Sequence, residues 1–508
     1  MERRPDISVS EIQPQRRRRI ILRRTMSTKM FRAGSMLAAL ALVAAACGPA
    51  TNIPSAAPSG SAGASQPATS ASAAGVVDIR WYCCLGTGEN PEQLPVEQKV
   101  VDAFNASHPN IKLKFEVVTY DAARNTLATQ IASGNGPDIV GPVGVGGGVA
   151  FNDQWLDLGP LIEKTSYDIT QYDPGAVDFY KIGDVQDALP FAIYPSMLFY
   201  KADLFKEAGL NPPPHKYGEK YKMPDGTEKD WNYDTIKEIG LKLTVDKNGK
   251  DATEAGFDPK SIVQYGFEPY RDLLPGTGAY FGPGSLMASD GKTVEIPPAW
   301  ADAWKYWYDG MWNEHFIMTG PVYESEEFGA GEYAFFSGRV AMSNNFLWTT
   351  YGVHQAGEDW DLAAVPSHNG KVTSPLNADT FRILKDTKHP DEAFEVLQYL
   401  LGEGSGDLLG IYGGMPARTA DQDKFFEGLD QQKDDAGKIK FPQGVDWQVA
   451  KDSVQYADNP NFEAFVPKYN ETLDALTKYE TKWVGTGGLT LDTEIEALKK
   501  ELQALWGG

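Results

Sequence analysis

The chain reads as an α/β protein, and three observations in its sequence predict that class. From Val76 onward the spacing of apolar residues switches between a period of two and a period near 3.6, in the order strand, helix, strand, helix, strand. With 508 residues, 42% apolar and 23% charged, the chain can build two or three lobes with separate apolar cores. Residues 48–75 are nearly all Ala, Ser, Gly, Pro and Thr, which cannot form a core, so the folded part begins after them.

The elements follow in order. Val77, Ile79 and Trp81 alternate as a first strand, which runs out at Cys83, Cys84 and a Gly86-Thr87-Gly88 turn. Val96, Val100, Ala103 and Phe104 recur at helical spacing, and His108-Pro109-Asn110 ends that helix. Ile111, Leu113, Phe115 and Val117 alternate as a second strand; Ala123, Leu127 and Ile131 mark a second helix stopped by Gly134. Pro137-Asp138-Ile139-Val140 reads as a short buried strand, followed by a glycine-rich loop from Gly144 to Gly148. In such a sheet ligands are expected beyond the carboxyl ends of the strands.

Further along, Pro390–Leu401 has the marks of a helix: Pro390 in the first turn, Asp391 and Glu392 near the N-terminus, and Gly402 as a stop. Leu491–Trp506 is amphipathic and is expected to pack against the body of the protein. Trp300, Trp304, Trp307 and Trp312 lie at near-helical spacing and read as the inward stripe of a helix, not as a binding platform.

The formal charge is −22, yet residues 1–46 hold ten Lys/Arg against three Asp/Glu, so the remainder is more acidic still. Such a surface repels phosphate backbones and anionic lipid heads, which argues against a nucleic-acid partner. Lys29 and Arg32 precede the apolar run Ser35–Ala46, which ends in small residues before Cys47-Gly48. That pattern is an export signal over residues 1–46, and its apolar run is too short to span a bilayer. The true start is Met1 or Met26. The segment resembles the lipobox of bacterial lipoproteins, with Ala44 where Leu is commonest. The resemblance implies that Cys47 takes a lipid and that residues 47–75 tether the folded part; the alternative is an ordinary cleaved signal.

Chemistry-bearing motifs are few. Three cysteines lack the spacing of a zinc site, and Asp246–Asp251 departs from a calcium loop and reads as a polar hairpin turn. No metal and no cofactor are expected. After Gly144 the G-x-G-x-x-G pattern fails at Val149, which argues against a nucleotide site. Neither H-E-x-x-H nor G-x-S-x-G occurs, and no catalytic residue is expected.

Several runs occur in a telling order: F-N-A-S-H-P-N-I-K-L-K-F; L-A-T-Q-I-A-S-G-N-G-P-D-I-V; Leu189–Pro213 (L-P-F-A-I-Y-P-S-M-L-F-Y-K-A-D-L-F-K-E-A-G-L-N-P-P); Phe335–Trp348 (F-F-S-G-R-V-A-M-S-N-N-F-L-W); Ala363–Pro366; and Tyr412–Arg418. Together they resemble extracellular solute-binding protein family 1, the maltose-binding-protein-like group serving ABC sugar importers. The resemblance implies a two-lobed periplasmic-binding-protein-like fold (type II) with a ligand cleft between lobes. It places a first lobe at 76–190 with about 380–440, and a second at 194–375 with about 441–508.

It also implies which residues meet ligand. Trp348 takes the place of a stacking aromatic at the cleft floor, with the amides of Asn344 and Asn345 beside it. Tyr194 lies in the first interlobe crossing, and Asp379 and Thr380 in the return crossing. Gly146 and Gly147 belong to a loop that borders ligand, with Asp138 before it as a contact or a turn cap. Tyr412, Gly414, Met415 and Arg418 resemble a ligand-touching loop whose plain reading is a glycine turn. Cys83 and Cys84 end the first strand, where a pocket is expected, and form either a vicinal disulfide or two reduced thiols. Trp81, Tyr82 and Glu89 flank them.

The expected function is capture of a small solute, a mono- or oligosaccharide, outside the membrane and its delivery to ABC permease subunits by hinge-bending closure. The protein is expected to be a lipid-anchored monomer and not an enzyme. The alternatives are a non-sugar cargo (polyamine, glycerophosphodiester or peptide) and a cell-surface glycan-degrading enzyme.

Overall fold

The computed structural model describes residues 75–507 apart from 173, 183, 272, 330–332, 358, 434–436, 443 and 464–465. The expected export signal at 1–46, Cys47 and the tether up to residue 74 lie outside the described residues. Among the described residues, no helix is long and apolar enough to cross a membrane.

The first five elements follow the sequence reading. They are β1 (Val77–Cys83), α1 (Leu94–Ser107), β2 (Ile111–Val117), α2 (Tyr120–Ala132) and β3 (Ile139–Val143). β1 pairs in parallel with β2 on one side and β3 on the other, and Trp81 stands opposite Phe115 and Ile139. β3 runs three residues beyond the predicted strand, through Gly141-Pro142, a dipeptide that reads as a breaker. The glycine run after it is a short helix, α3 (Val145–Ala150), and not the expected loop. Close packing explains that difference. A Cβ on Gly146 would lie 2.0 Å from the Tyr469 hydroxyl oxygen, and one on Gly147 would lie 2.9 Å from the Leu85 carbonyl oxygen.

One long strand links two groups of strands. β4 (Ala192–Lys201) pairs through Ala192–Pro195 with β7 (Leu376–Ile383), and through its second half with β5 (Met342–Phe346) and β6 (Trp360–Ala363). β7 also pairs with β3, so the spatial order is β5-β4-β7-β3-β1-β2. The short β8 (Met415–Pro416) adds to the first half of β4. At the changeover Ser374 Oγ donates to the Ser196 carbonyl at 2.6 Å, and both serines are buried.

The helices and the polar turn expected in the body are present, although Trp312 of the expected tryptophan stripe is only half-buried. Pro390–Leu401 is a helix closed by Gly402, burying Phe394, Val396, Leu397 and Leu400. Trp300, Trp304 and Trp307 are fully buried on the helix Pro298–Trp312; each such side chain contributes about 2–3 kcal/mol by leaving water. Leu491–Trp506 is a helix that buries Leu491, Ile495, Leu498 and Leu502 and packs on the helix Tyr469–Gly485. Trp483 of the latter meets Trp304 at 5.6 Å. The Asp246 carboxylate accepts from the backbone N–H groups of Asn248, Lys250 and Asp258, a polar turn as read. Phe426 and Leu429 pack among Met197, Trp360 and Trp447, on the β5–β6 side, although sequence position groups them with the first lobe.

Candidate functional site

β1 ends at Cys83 and β3 at Val143, which Leu85 bridges in parallel, and the chain turns there through Leu85–Thr87 and Gly144. A cavity of about 490 Å³ opens at this point, walled by segments from both strand groups. Period-two geometry supplies one wall. Asn377 and Asp379 are two apart on β7, so both side chains leave the same face, and Tyr194 of β4 stands directly opposite Asn377. All three line the cavity.

Trp348 leaves the end of β5 on a short 3-10 turn. Its ring stacks on Phe346 at 4.4 Å, meets the edge of Tyr194 at 5.4 Å, and its Nε1–H donates to the Tyr333 hydroxyl at 2.8 Å. One face is thus held against protein while the residue remains half-exposed at the cavity. Tyr270, Tyr351 and Tyr412 add further aromatic wall. The turn Tyr412–Gly414 fits because Gly414 carries no side chain; a Cβ there would be 2.8 Å from Ala192 Cβ and 3.2 Å from the Tyr194 hydroxyl.

The polar lining is uneven in charge. Asp379, Glu463 and Asp474 face the cavity together with a single guanidinium, Arg124. Arg124 lies over the rings of Tyr120 and Tyr469, 5.6 Å from each centroid. Asp379 is buried and accepts one backbone N–H, from Thr87 at 3.2 Å; burial lifts its carboxyl to about 6. Gln93 sits below, its Oε1 accepting from Gly88 and Asn90 and its Nε2 donating to Thr87 Oγ1. Aromatic faces beside acceptors and amides suit a polyhydroxylated or amine-bearing small molecule. Among the described residues, the cluster of Cys83, Cys84 and Glu97 is a group whose donor atoms could approach one metal ion, but the structure joins its two sulfurs as a disulfide. No cofactor cradle follows from it.

The family described as bacterial extracellular solute-binding protein matches residues 88–407. The chain belongs to that family. A putative binding protein of Brucella abortus is 32% identical over 322 residues, which cover 60% of this chain and 68% of the relative. An uncharacterised lipoprotein of Streptomyces antibioticus is 23% identical over 319 residues, 61% of this chain and 64% of its own. Among solved structures, an ABC substrate-binding protein of Listeria monocytogenes in complex with cycloalternan superposes with a TM-score of 0.64 at 18% identity. It covers 85% of this chain and 99% of that one. That likeness shows the fold, the two-lobed α/β architecture of solute-binding proteins.

In this solute-binding protein the structure brings six of the sequence-predicted residues together at the cavity: Trp348, Tyr194, Asp379, Gly146, Gly147 and Tyr412. The others stand behind or away from it. Gly414 backs Tyr194, and Met415 is buried on the β4 side in the Met197 cluster. Asn344 Nδ2 donates to the Tyr233 hydroxyl at 3.0 Å, and Asn345 Oδ1 accepts from the Phe346 N–H. Thr380 is on the opposite face of β7 from Asp379, and its hydroxyl donates to the Leu189 carbonyl. Trp81 Nε1–H donates to the Gly141 carbonyl and the Tyr82 hydroxyl to that of Ala123, both in the interior.

Asp138 is at the far end of β3 from the cavity, where its carboxylate accepts from the Arg80 N–H of β1 and from Thr387 Oγ1, tertiary contacts and not a local turn cap. Glu89 accepts from the Tyr120 N–H at 2.6 Å. Arg418 donates to the Tyr167 hydroxyl and lies over Tyr172, beside a separate surface hollow. The Cys83–Cys84 disulfide is buried one layer beneath the cavity, against Glu97.

Sequence reasoning missed Asn377, Gln93, Arg124, Tyr270, Glu463 and Asp474. Asn377 had a signal, since it shares a strand face with Asp379. The rest come from segments far apart in sequence, and nothing local distinguishes them from surface polar residues.

Proposed function

We propose that this protein captures a mono- or oligosaccharide in the cavity between its strand groups and hands it to an ABC importer. The observation that carries this reading is the half-buried Trp348 ring, held by Phe346 and Tyr194, in one cavity with Asp379 and Asn377. A sugar ring has an apolar C–H face and an edge of hydroxyls, so a flat aromatic surface beside amides and a carboxylate matches both. The Listeria relative's complex with cycloalternan supports the same class of cargo. β4 and the approach to β7, clasped through Ser196 and Ser374, form the hinge in this reading, and closure over the solute presents the docking surface to the permease. No bond is made or broken. Attachment through a lipid on Cys47, with residues 48–75 as a tether, keeps the binding domain at the membrane, and the domain works as a monomer.

A thermal-shift screen of the purified protein against mono- and oligosaccharides tests the reading. A ligand that binds only the native state raises the melting temperature with its concentration. A shift by one sugar class, with the sugar recovered unaltered, is the expected result; recovery of a cleaved glycoside contradicts it.

A further inference from the structure

Among the described residues, no cationic side chain pairs with the carboxylate of Asp379 in the cavity wall. Asp379 is 7% exposed and receives one donor, the Thr87 N–H. The hydroxyls of Tyr194, Tyr412 and Tyr180 lie close enough to feel its charge, and none of them supplies a positive one. Arg382, three residues along β7, is committed to Asp187. Buried charges are ordinarily paired. A second observation points to the same place: Tyr194 lines the cavity, and its hydroxyl is buried with no hydrogen-bond partner among the described residues.

We propose that Asp379 and the Tyr194 hydroxyl form a subsite for a protonated amine carried by the solute. This rests on the reading that the cavity holds the transported solute, and it narrows that solute to one bearing a primary ammonium, whether on an amino sugar or on a polyamine. An ammonium is donor-only, with three N–H groups. The ionised carboxylate is acceptor-only, and the tyrosine oxygen offers a second acceptor. The Trp348 ring, edge-on to Tyr194, adds an aromatic face of the kind that attracts cations. Arg124 is seated over the rings of Tyr120 and Tyr469, and Glu463 and Asp474 add two more carboxyl groups to the cavity lining. Because burial holds Asp379 near 6 when it is unpaired, ammonium binding draws on a form that disappears on acidification.

The test is calorimetric titration of the purified protein with glucosamine and its dimer, their N-acetylated counterparts, glucose and cellobiose, and spermidine. The expected result is a preference of about tenfold or more for the free amine over its N-acetylated counterpart, the size of a charge-assisted hydrogen bond. That preference shrinks between pH 7.5 and pH 5, collapses in Asp379→Asn, and falls partly in Tyr194→Phe, with circular dichroism confirming that both variants are folded. Equal binding of amine and N-acetyl forms, or a preference that survives Asp379→Asn, overturns the subsite while leaving the sugar reading intact. Binding of spermidine alone, lost in Asp379→Asn, keeps the subsite and overturns the sugar reading. Silence of every probe overturns both.

Discussion

The Tyr412 hydroxyl donates to Glu97 Oε1 at 2.6 Å, joining a residue of the cavity wall to a carboxyl buried beneath it. Glu97 in turn lies against the Cys83–Cys84 disulfide; the space above Gly88 is bounded by Glu97 Oε1, Cys83 Sγ and Cys84 Sγ, all within 3 Å of where a Cβ would sit. Its second oxygen has no partner, and burial pushes the carboxyl up to about 7. The wall of the site therefore stands on a buried acid that holds its proton near neutrality.

Tyr412→Phe deletes the hydrogen bond and leaves Glu97 with neither oxygen paired. The expected loss of stability is about 1–3 kcal/mol, the cost of stranding a buried polar group. Urea unfolding of the variant beside the parent measures it, and an unchanged midpoint contradicts the arrangement.

Ligand-free protein is expected to gain stability on mild acidification. Burial raises Glu97 to about 7, and Asp379 and Asp458 to about 6, each above its ordinary value of 4.5 or 3.8. A carboxyl with a raised folded-state value binds protons more readily folded than unfolded. Its contribution is full below the unfolded value and is lost as pH rises through the folded one. The urea midpoint should accordingly be higher at pH 5 than at pH 8, by an amount equivalent to a few kcal/mol. In Asp379→Asn the difference between the two pH values should narrow. A midpoint that falls on acidification over this window contradicts the assignment.

Gly414→Ala places a methyl 2.8 Å from Ala192 Cβ and 3.2 Å from the Tyr194 ring and hydroxyl. Neither neighbour can retreat, since Ala192 is on a paired strand and Tyr194 is fully buried. The expected cost is about 1–3 kcal/mol of overpacking, with weaker ligand binding as Tyr194 is displaced. Thermal unfolding together with titration reads both.

Much of the fold was legible because local pattern and burial agree. The alternation of Val77, Ile79 and Trp81 is the pleat of β1, and Pro390 to Gly402 starts and stops its helix where propensity and capping place it. The glycine run from Gly144 to Gly148 misled because its helix is selected by what packs on it, Leu85 and Tyr469, and not by propensity. The site was legible where a residue's chain position dictates its level in the fold. Tyr194, Trp348 and Asp379 sit at strand changeovers, so they reach the cavity. Asn344, Asn345 and Thr380 are neighbours in sequence of cavity residues, but Asn344 Nδ2, Asn345 Oδ1 and the Thr380 hydroxyl bond within the interior. Arg124, Glu463 and Asp474 come from separate segments and meet only through tertiary packing.

The most direct measurement is calorimetric titration of Trp348→Ala beside the parent, using whichever saccharide gives the largest thermal shift, with Trp348→Phe as the conservative control. Removing an aromatic platform that contacts ligand costs about 2 kcal/mol or more. The expected result is one solute per protein, affinity about thirtyfold weaker in Trp348→Ala, and partial recovery in Trp348→Phe. Unchanged affinity in a folded Trp348→Ala protein would place the solute elsewhere and contradict the account.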